Sequence, residues 1–205
     1  RAELLDPHTV KLVNSGAEVT AERILIATGG RPYLPEDLPG FELGISSNEA
    51  FVLPELPKRA LILGDGYIAL EFANIFNGLG TETRILHRGD KLLRGFDDDL
   101  RAHMHIETER AGIRLSLKTT ISKLEKVSGR IRATLSSGET VETDVVLFAI
   151  GRRPNTESLG LDRVGVQLAP EGAVVVDEYS QTSVENIYAI GDVTSRTNLT
   201  PVAIR

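Results

Sequence analysis

The sequence predicts an α/β fold, in which a parallel sheet lies between helices and a β-meander. Four apolar runs have the length and composition of strands buried in a parallel sheet, at 60–63, 83–86, 113–117 and 144–150. Between the first two runs, apolar residues recur at helical spacing from Ile68 to Leu79. From Ile121 to Thr143, three strand-like segments alternate with Ser-Gly turns, as in a β-meander. These observations predict a three-layer domain.

A glycine-rich turn, Gly64-Asp65-Gly66, joins the first strand to the helix and gives, with Ala69, the pattern GxGxxA. Gly64 permits a sharp bend, Gly66 lets a pyrophosphate approach the backbone, and Ala69 allows close packing of the helix on the strand. The helix N-terminus adds free N–H groups and the positive end of a dipole. The strand before the turn and the helix after it favour a Rossmann-like dinucleotide site over a plain glycine turn.

The residues that follow the second strand indicate which dinucleotide binds. An acidic residue there would bind the ribose 2′-hydroxyl of NAD, whereas this sequence has His87 and Arg88, followed by Lys91 and Arg94. Arginine side chains can bind a 2′-phosphate through charge-assisted hydrogen bonds. The pattern therefore predicts NADP(H), and the alternative is a solvated basic loop.

The segments before the central glycine turn predict antiparallel strands and a connection. Residues 1–27 have the alternation and turns of antiparallel strands, and they end in the apolar run ILIA before Thr28-Gly29-Gly30. The following segment, from Pro32 onward, is rich in proline and predicts an extended connection. Within it, Ser46 or Ser47 would cap a short helix.

The second half of the chain contains an acidic run and a further strand that ends in glycine. Asp97-Asp98-Asp99 precedes a helical pattern and predicts helix capping; a metal site is the less favoured alternative, because no further ligands lie nearby. Short strands are predicted at Val174–Val176 and at 186–190. The second is followed by Gly191-Asp192, whose carboxylate can bond a sugar hydroxyl or close a turn. Thr200 precedes a proline and would cap a final helix.

The composition excludes several classes of function. The chain has 205 residues and a net charge of −6, and its basic residues are spread along it, so nothing indicates nucleic-acid binding. Apolar runs stay well short of the roughly 18 residues of a membrane span. The absence of cysteine excludes disulfides, thiolate ligands and thiol nucleophiles within this chain, and no metal is expected. Because the sequence begins without methionine, an internal fragment of a longer protein is expected.

Four motifs, in order along essentially the whole chain, resemble the pyridine nucleotide–disulfide oxidoreductases, a family of flavoproteins with two dinucleotide sites. They are ATGGRP at 27–32, GDGYIALE at 64–71, AIGRRPN at 149–155 and IYAIGDV at 187–193. GYIA, the later arginines and LTPVAI at 199–204 are similar to the glutathione reductase branch. Dihydrolipoamide dehydrogenases, by contrast, usually have an acid where His87 and Arg88 stand.

The resemblance implies a discontinuous FAD-binding domain around an NADPH-binding domain. Residues 1–31 and 150–205 would belong to the FAD-binding domain, residues 32–56 would form a connecting segment, and residues 57–149 would form the NADPH-binding domain. The implied cofactors are therefore FAD and NADPH.

The resemblance also assigns roles to individual residues. The implied NADPH-binding residues are Gly64, Asp65, Gly66, Ile68, Arg88, Arg94, Gly151 and Arg152, with Arg88 and Arg94 on the 2′-phosphate. The implied FAD-binding residues are Thr28, Gly29, Asp192 and Thr200, with Asp192 on the ribitol. Two residues have an implied catalytic role: Tyr67 would cover the flavin ring and move away when NADPH binds, and Glu71 would lie near the nicotinamide and the flavin. A tyrosine simply packed on its helix is the alternative for Tyr67.

Two departures from the family pattern bear on function. Asp65 replaces a small neutral residue, and its carboxylate would weaken pyrophosphate binding unless it points to solvent. The first FAD fingerprint, the redox-active cysteine pair and the C-terminal interface domain are absent from this sequence, so this chain alone should not reduce disulfides.

The expected parent protein is an NADPH-dependent, FAD-containing disulfide reductase. Its expected substrate is glutathione disulfide, and it is expected to be a homodimer in the cytoplasm, with organellar targeting left open. The alternatives are a flavin reductase of the same fold that passes electrons to a protein partner, and a non-catalytic nucleotide-binding module.

Overall fold

A computed structural model describes residues 1–196 of the chain. The chain forms two compact units. The first unit contains Arg1–Arg31 together with the described residues from Arg152 onward, and the second unit contains Pro32–Gly151. The assignment of FAD to the first unit and NADPH to the second stays a prediction, and Thr200 lies outside the described residues.

The strands and helices are numbered here in chain order. The strands are β1 (Ala2–Asp6), β2 (Thr9–Leu12), β3 (Glu18–Thr20), β4 (Ile24–Ile26), β5 (Gly30–Pro32), β6 (Arg59–Leu63), β7 (Glu82–Leu86), β8 (Arg114–Ser116), β9 (Ile121–Val127), β10 (Arg130–Leu135), β11 (Thr140–Thr143), β12 (Val145–Phe148), β13 (Arg152–Pro154) and β14 (Ile187–Ala189). The α-helices are α1 (Ser47–Ala50), α2 (Tyr67–Gly78) and α3 (Asp98–Arg110), and short 3₁₀ helices span Phe41–Leu43 and Gly191–Thr194.

A four-stranded parallel sheet with the order β12-β6-β7-β8 lies at the centre of the second unit. In its register, Leu61 of β6 lies opposite Arg84 of β7 and Val146 of β12. The predicted parallel strands are therefore confirmed, although β8 and β12 are shorter than the apolar runs that predicted them.

The second unit has the three layers that the sequence predicts. Ala60 and Ile62 face one core, which they share with residues of α2, namely Ala69, Leu70, Phe72, Ala73 and Phe76. Leu61 and Leu63 face the opposite core, which they share with the meander β11-β10-β9 through Ile121, Leu124, Ala133 and Leu135. Alternation along β6 therefore gives both faces of the sheet a buried apolar surface, as expected for a central strand.

Two helices begin at the caps that the sequence predicts. The side chain of Asp97 accepts hydrogen bonds from the N–H groups of Asp99 at 2.9 Å and Leu100 at 3.3 Å, and so caps α3. Ser46 and Glu49 form a reciprocal capping box at α1. The hydrogen bonds from Ser46 lower the pKa of the Glu49 carboxyl. Both capping predictions are confirmed.

The first unit contains three small sheets. Strands β1, β2 and β3 form the antiparallel sheet that the sequence predicts, and β5 pairs with β13. The antiparallel prediction is wrong for β4, which pairs in parallel with β14 from the far end of the chain. The predicted strand at Val174–Val176 is wrong: Val174 forms only an isolated bridge with Leu168. Its N–H group donates to Val193, whereas that of Val175 donates to Gln167, so successive donors have no common partner strand.

Helix length and side-chain grouping bear on membrane and metal binding. None of the helices in the described part of the chain is long and apolar enough to cross a membrane. Over residues 1–196, no group of three or more histidine, aspartate or glutamate side chains is placed to hold a metal ion. The run of three aspartates contributes the cap of α3.

Candidate functional site

The glycine turn after β6 has a backbone conformation that requires glycine. Gly64 has a φ of 150°, and a Cβ there would overlap the main-chain oxygen of Ala149, which follows β12. The N–H group of Gly64 donates to the carbonyl of Leu86 at the end of β7, at 3.0 Å. The turn is therefore fixed against the two strands that flank β6.

The N-terminus of α2 is suited to an anion. Gly66 is the N-cap residue, and because glycine has no side chain it makes no side-chain cap hydrogen bond to the helix. A Cβ at Gly66 would meet no heavy atom within 4 Å, so the space above this backbone is open. The positive end of the helix dipole favours negative charge at such a position. This geometry fits the pyrophosphate of a dinucleotide.

A cleft of about 450 Å³ opens beside this turn, within the size range of small-molecule sites. We call it the cleft, and its lining residues come from the ends of β6 and β7, from Arg94 and from three other segments: Leu63, Gly64, Asp65, Leu86, His87, Arg88, Arg94, Tyr33, Pro35, Asp37, Leu38, Pro39, Thr120, Ile121, Ser122 and Ile150. Four residues implied to bind NADPH thus lie in one place: Gly64, Asp65, Arg88 and Arg94.

The two arginines of the cleft differ from the lysine between them. Arg88 and Arg94 are exposed, and no carboxylate of the described residues lies within ion-pair distance of either guanidinium. Lys91 instead pairs with Asp98, with a distance of 3.0 Å between Nζ and Oδ1, and does not line the cleft. The basic loop therefore presents two guanidinium groups, not three cations, to the cleft.

Asp65 is directed towards the loop that carries Arg94. Its Oδ2 accepts a hydrogen bond from the N–H group of Arg94 at 3.3 Å, and its Oδ1 lies 3.6 Å from Nδ1 of His87. The side chain is 23% exposed. From the sequence, Asp65 was expected to weaken pyrophosphate binding unless its carboxylate points to solvent. In the structure, the carboxylate instead makes specific contacts within the second unit.

His87 lines the cleft and was not among the predicted site residues. Burial lowers the pKa of its imidazole, Asp65 acts in the opposite direction, and the cations of Arg88 and Arg94 lower the pKa further. A Cβ on Gly89 would overlap the His87 ring, so glycine there makes room for it. The position of His87 at the end of β7, where a ribose ligand is expected, is the sequence signal that could have identified it.

Tyr67 and Glu71, the implied catalytic residues, lie together but outside the cleft. They line a second depression of about 580 Å³, which we call the groove, with the apolar side chains Leu70, Ile75, Leu93, Phe96 and Met104 and with Asn74. Ile68 is partly buried against the core between α2 and the sheet. Tyr67, Ile68 and Glu71 lie along α2, whereas the glycine turn precedes its N-terminus. Helical spacing directs their side chains to different sides of the helix.

In the first unit, two of the residues implied to bind FAD, Thr28 and Gly29, are hydrogen-bonded to Asn155. Thr28 Oγ1 donates to the main-chain oxygen of Asn155 at 2.7 Å. The N–H group of Asn155 donates to the carbonyl of Gly29 at 2.9 Å, and its side-chain amide donates to the carbonyl of Thr28 at 3.0 Å. The Thr28-Gly29 turn is therefore held by a set of three hydrogen bonds.

Arg152 and Asp192 form a second contact in the first unit. The Nε atom of Arg152 lies 3.5 Å from Oδ2 of Asp192, and its guanidinium also donates to the carbonyl of Gly30. A Cβ on Gly30 would lie 3.5 Å from the Cβ of Asp192, which is ordinary van der Waals contact. Arg152, implied to bind NADPH, is thus placed beside a residue implied to bind FAD. Gly151, with a φ of 136°, belongs to the second unit.

The parallel sheet, the glycine turn and the uncapped start of α2 define a Rossmann-like α/β protein with the features of a dinucleotide site. Comparison with protein families gives a match to the model described as "Pyridine nucleotide-disulphide oxidoreductase" over residues 1–205. The chain therefore belongs to this family, whose members are oxidoreductases that use FAD and NAD(P)H. The family resemblance and the fold class predicted from the sequence are both confirmed.

Individual relatives are enzymes named for disulfide reduction. The chain is 50% identical over 204 residues to a glutathione reductase of Burkholderia cepacia, covering 100% of this chain and 45% of the relative. It is 45% identical over 212 residues to a trypanothione reductase of Trypanosoma congolense, covering 98% of this chain and 43% of that protein.

A solved structure shares the fold. The HOCl-induced flavoprotein disulfide reductase RclA of Escherichia coli matches with a TM-score of 0.92 and 29% identity, over 100% of this chain and 47% of that one. The chain therefore spans less than half the length of the relatives and the structure that it matches.

Proposed function

We propose that the protein to which this chain belongs is an NADPH-dependent, FAD-containing disulfide reductase that acts on glutathione disulfide. The observation that carries the proposal is the position of Arg88 and Arg94 in the same cleft as the Gly64 turn. Two exposed guanidinium groups beside a pyrophosphate site suit a dinucleotide with a 2′-phosphate better than one with a 2′-hydroxyl.

The residues of the second unit have distinct proposed roles towards the nicotinamide dinucleotide. Gly64 and Gly66 let the backbone approach the pyrophosphate, which the N-terminus of α2 stabilises. Arg88 and Arg94 bind the 2′-phosphate. Ile68 would lie on the pyrophosphate and nicotinamide side, and Gly151 would contact NADPH, as would Arg152 of the first unit. These roles fit the open space above Gly66 and the absence of a side-chain cap on α2.

The residues of the first unit have proposed roles towards the flavin dinucleotide. Thr28 and Gly29 contact it through a turn that Asn155 holds in place. Asp192 accepts a hydrogen bond from a ribitol hydroxyl, and its carboxylate is three-quarters buried beside Arg152. A Cβ at Gly30 would lie 3.1 Å from the main-chain oxygen of Arg153, so the space beside this turn is tight.

When bound, the two cofactors supply transfer of a hydride from NADPH to the flavin and of an electron pair from the flavin to a disulfide. The contribution of this chain is to bind and orient them. Tyr67 would cover the flavin ring and move away when NADPH binds, and Glu71 would lie near the nicotinamide and the flavin. The thiols that exchange with the substrate must lie elsewhere, since the chain has no cysteine.

Glutathione disulfide is the proposed substrate because a relative 50% identical to this chain is named a glutathione reductase. A relative 45% identical is named a trypanothione reductase, so the same architecture accompanies more than one disulfide. A homodimeric and cytoplasmic parent protein stays a prediction. The choice between substrates depends on residues outside the region described here.

Calorimetry with NADPH and NADH tests the nucleotide part of the proposal. The wild-type chain should prefer NADPH, and the double variant Arg88→Ala/Arg94→Ala should lose about a hundredfold in NADPH affinity while NADH affinity changes little. The matched control, Arg110→Ala/Arg114→Ala, removes two exposed arginines that lie outside the cleft and should bind as the wild type does. Equal affinity for both nucleotides in every variant would refute the NADPH site.

The disulfide part is tested by following NADPH oxidation by the full-length protein with glutathione disulfide and, separately, with trypanothione disulfide. Faster turnover of glutathione disulfide supports the proposal. Reduction of a flavin or a protein acceptor with no turnover of either disulfide would support the flavin reductase alternative instead.

A further inference from the structure

Asp65 connects three parts of the cleft. Its main-chain oxygen accepts a hydrogen bond from the N–H group of Leu93 at 2.8 Å, and its Oδ2 accepts one from the N–H group of Arg94 at 3.3 Å. Its Oδ1 lies 3.6 Å from Nδ1 of His87 at the end of β7. One residue of the glycine turn thus holds two consecutive amides of the loop that carries a phosphate-binding arginine.

The backbone of this loop has a conformation that needs support. Leu93 has a φ of 53°, in the left-handed region that leucine rarely adopts. Its side chain is buried in the core beside α2, whereas the next residue, Arg94, is exposed and lines the cleft. The direction in which Arg94 leaves the loop therefore depends on how the amides of residues 93 and 94 are held.

Two opposite effects of the Asp65 carboxylate can be distinguished by the nucleotide. Repulsion of the pyrophosphate would weaken NADPH and NADH equally, because both contain it. Support of the Arg94 backbone would strengthen only the dinucleotide with a 2′-phosphate. The hydrogen bond from the Arg94 amide to Oδ2 favours the second effect, because it ties the carboxylate to the loop that carries Arg94 and offsets part of its negative charge.

We propose that Asp65 is a positioning residue for nucleotide specificity. By holding the Arg94 amide, its carboxylate keeps the Arg94 guanidinium in the cleft and so favours NADPH over NADH. This inference rests on the proposed NADPH site and adds to it a residue outside the phosphate-binding pair. It also explains how an acidic residue is compatible with the centre of the glycine turn.

The ratio of the NADH and NADPH dissociation constants is the first measurement. Asp65→Ala should lower this ratio about three- to tenfold, the range for loss of one hydrogen bond. Asp65→Asn retains a side-chain oxygen at the same place and should keep most of the ratio. Asp37→Ala removes a negative charge from the same cleft and should leave the ratio unchanged. With Arg94→Ala already present, Asp65→Ala should lower the ratio no further.

The second measurement is amide hydrogen exchange, followed by NMR in the absence of nucleotide. Asp65→Ala should speed exchange at Arg94, whereas Leu93, whose amide is bonded to the main-chain oxygen of Asp65, is an internal control that should stay protected. Equal exchange at Arg94 in wild type and variant, or an equal gain in affinity for both nucleotides, would overturn the inference while leaving the NADPH site intact. A wild-type chain without NADPH preference would overturn the proposed function, and with it the role of Asp65 in specificity.

Discussion

The cleft and the groove are formed by neighbouring parts of one motif, yet they differ in chemistry. The cleft is lined by the glycine turn with Asp65, by His87 and by two arginines. The groove is lined by Tyr67 and Glu71 among apolar side chains. The turn lies at the carboxyl end of the parallel sheet, and the helix that follows carries its next residues to another face. A contiguous sequence motif thus serves two surfaces, one suited to phosphate groups and one to apolar contact.

The largest expected effect comes from removing the backbone freedom on which the cleft depends. Gly64→Ala places a Cβ against the Ala149 carbonyl at a φ of 150°, and should lower the free energy of unfolding by about 2–4 kcal/mol. Chemical denaturation measures this change. Gly78→Ala, at the end of α2, meets no neighbouring atom and should be neutral or stabilising by up to about 1 kcal/mol. Equal stability of the two variants would contradict the described turn.

A smaller effect on the free energy of unfolding is expected from the titration of His87, which lines the cleft and not the groove. Its pKa lies below the usual 6.5, chiefly through burial and also through Arg88, Arg94 and Arg101, with Asp65 opposing them. Since the unfolded chain then binds the proton more readily, stability should be complete above about pH 6.5 and should fall as the pH drops through the lowered pKa. Denaturation at a series of pH values should show a steeper acid loss in the wild type than in His87→Gln.

Two further variants should shift the pH of this acid transition in opposite directions. Asp65→Asn removes the carboxylate that raises the pKa of His87, so the acid transition should move to lower pH. Arg88→Gln removes a cation that lowers it, so the transition should move to higher pH. Shifts in the same direction for both variants would contradict the assignment of the transition to His87.

The smallest effect is expected on the groove side. Tyr67→Phe and Glu71→Gln alter residues outside the cleft and should change the ratio of NADH to NADPH dissociation constants by no more than about twofold. Calorimetry of the wild type and both variants checks this. A loss of NADPH preference in either would show that the cleft and the groove act as one site.

The parts of the fold with local causes could be predicted from the sequence. Apolar runs gave the parallel strands, and short polar side chains gave the caps at Ser46 and Asp97, because each depends on residues a few positions apart. The strand predicted at Val174–Val176 was wrong, since apolar β-branched residues also suit an irregular, partly buried segment whose amides find separate partners.

The site could be predicted only in part. The glycine turn and Arg88 and Arg94 follow from the spacing of a βαβ unit, and the structure brings them into one cleft. The other walls come from segments such as 33–39 and 120–122, which carry no motif. The contact of Asp65 with the Arg94 amide also could not be predicted, because it depends on where a loop nearly 30 residues later returns to the turn.

The pairing of β4 with β14 has a consequence for how the chain is made. Ile24 lies opposite Ile187, so the ribosome must synthesise the whole intervening second unit before this ladder can close. At usual rates of translation, β4 waits roughly ten seconds or more before its partner among the described strands has been made. The second unit is continuous in sequence and can fold during that interval. Biosynthesis therefore orders the two units in time, with the interrupted one completed last.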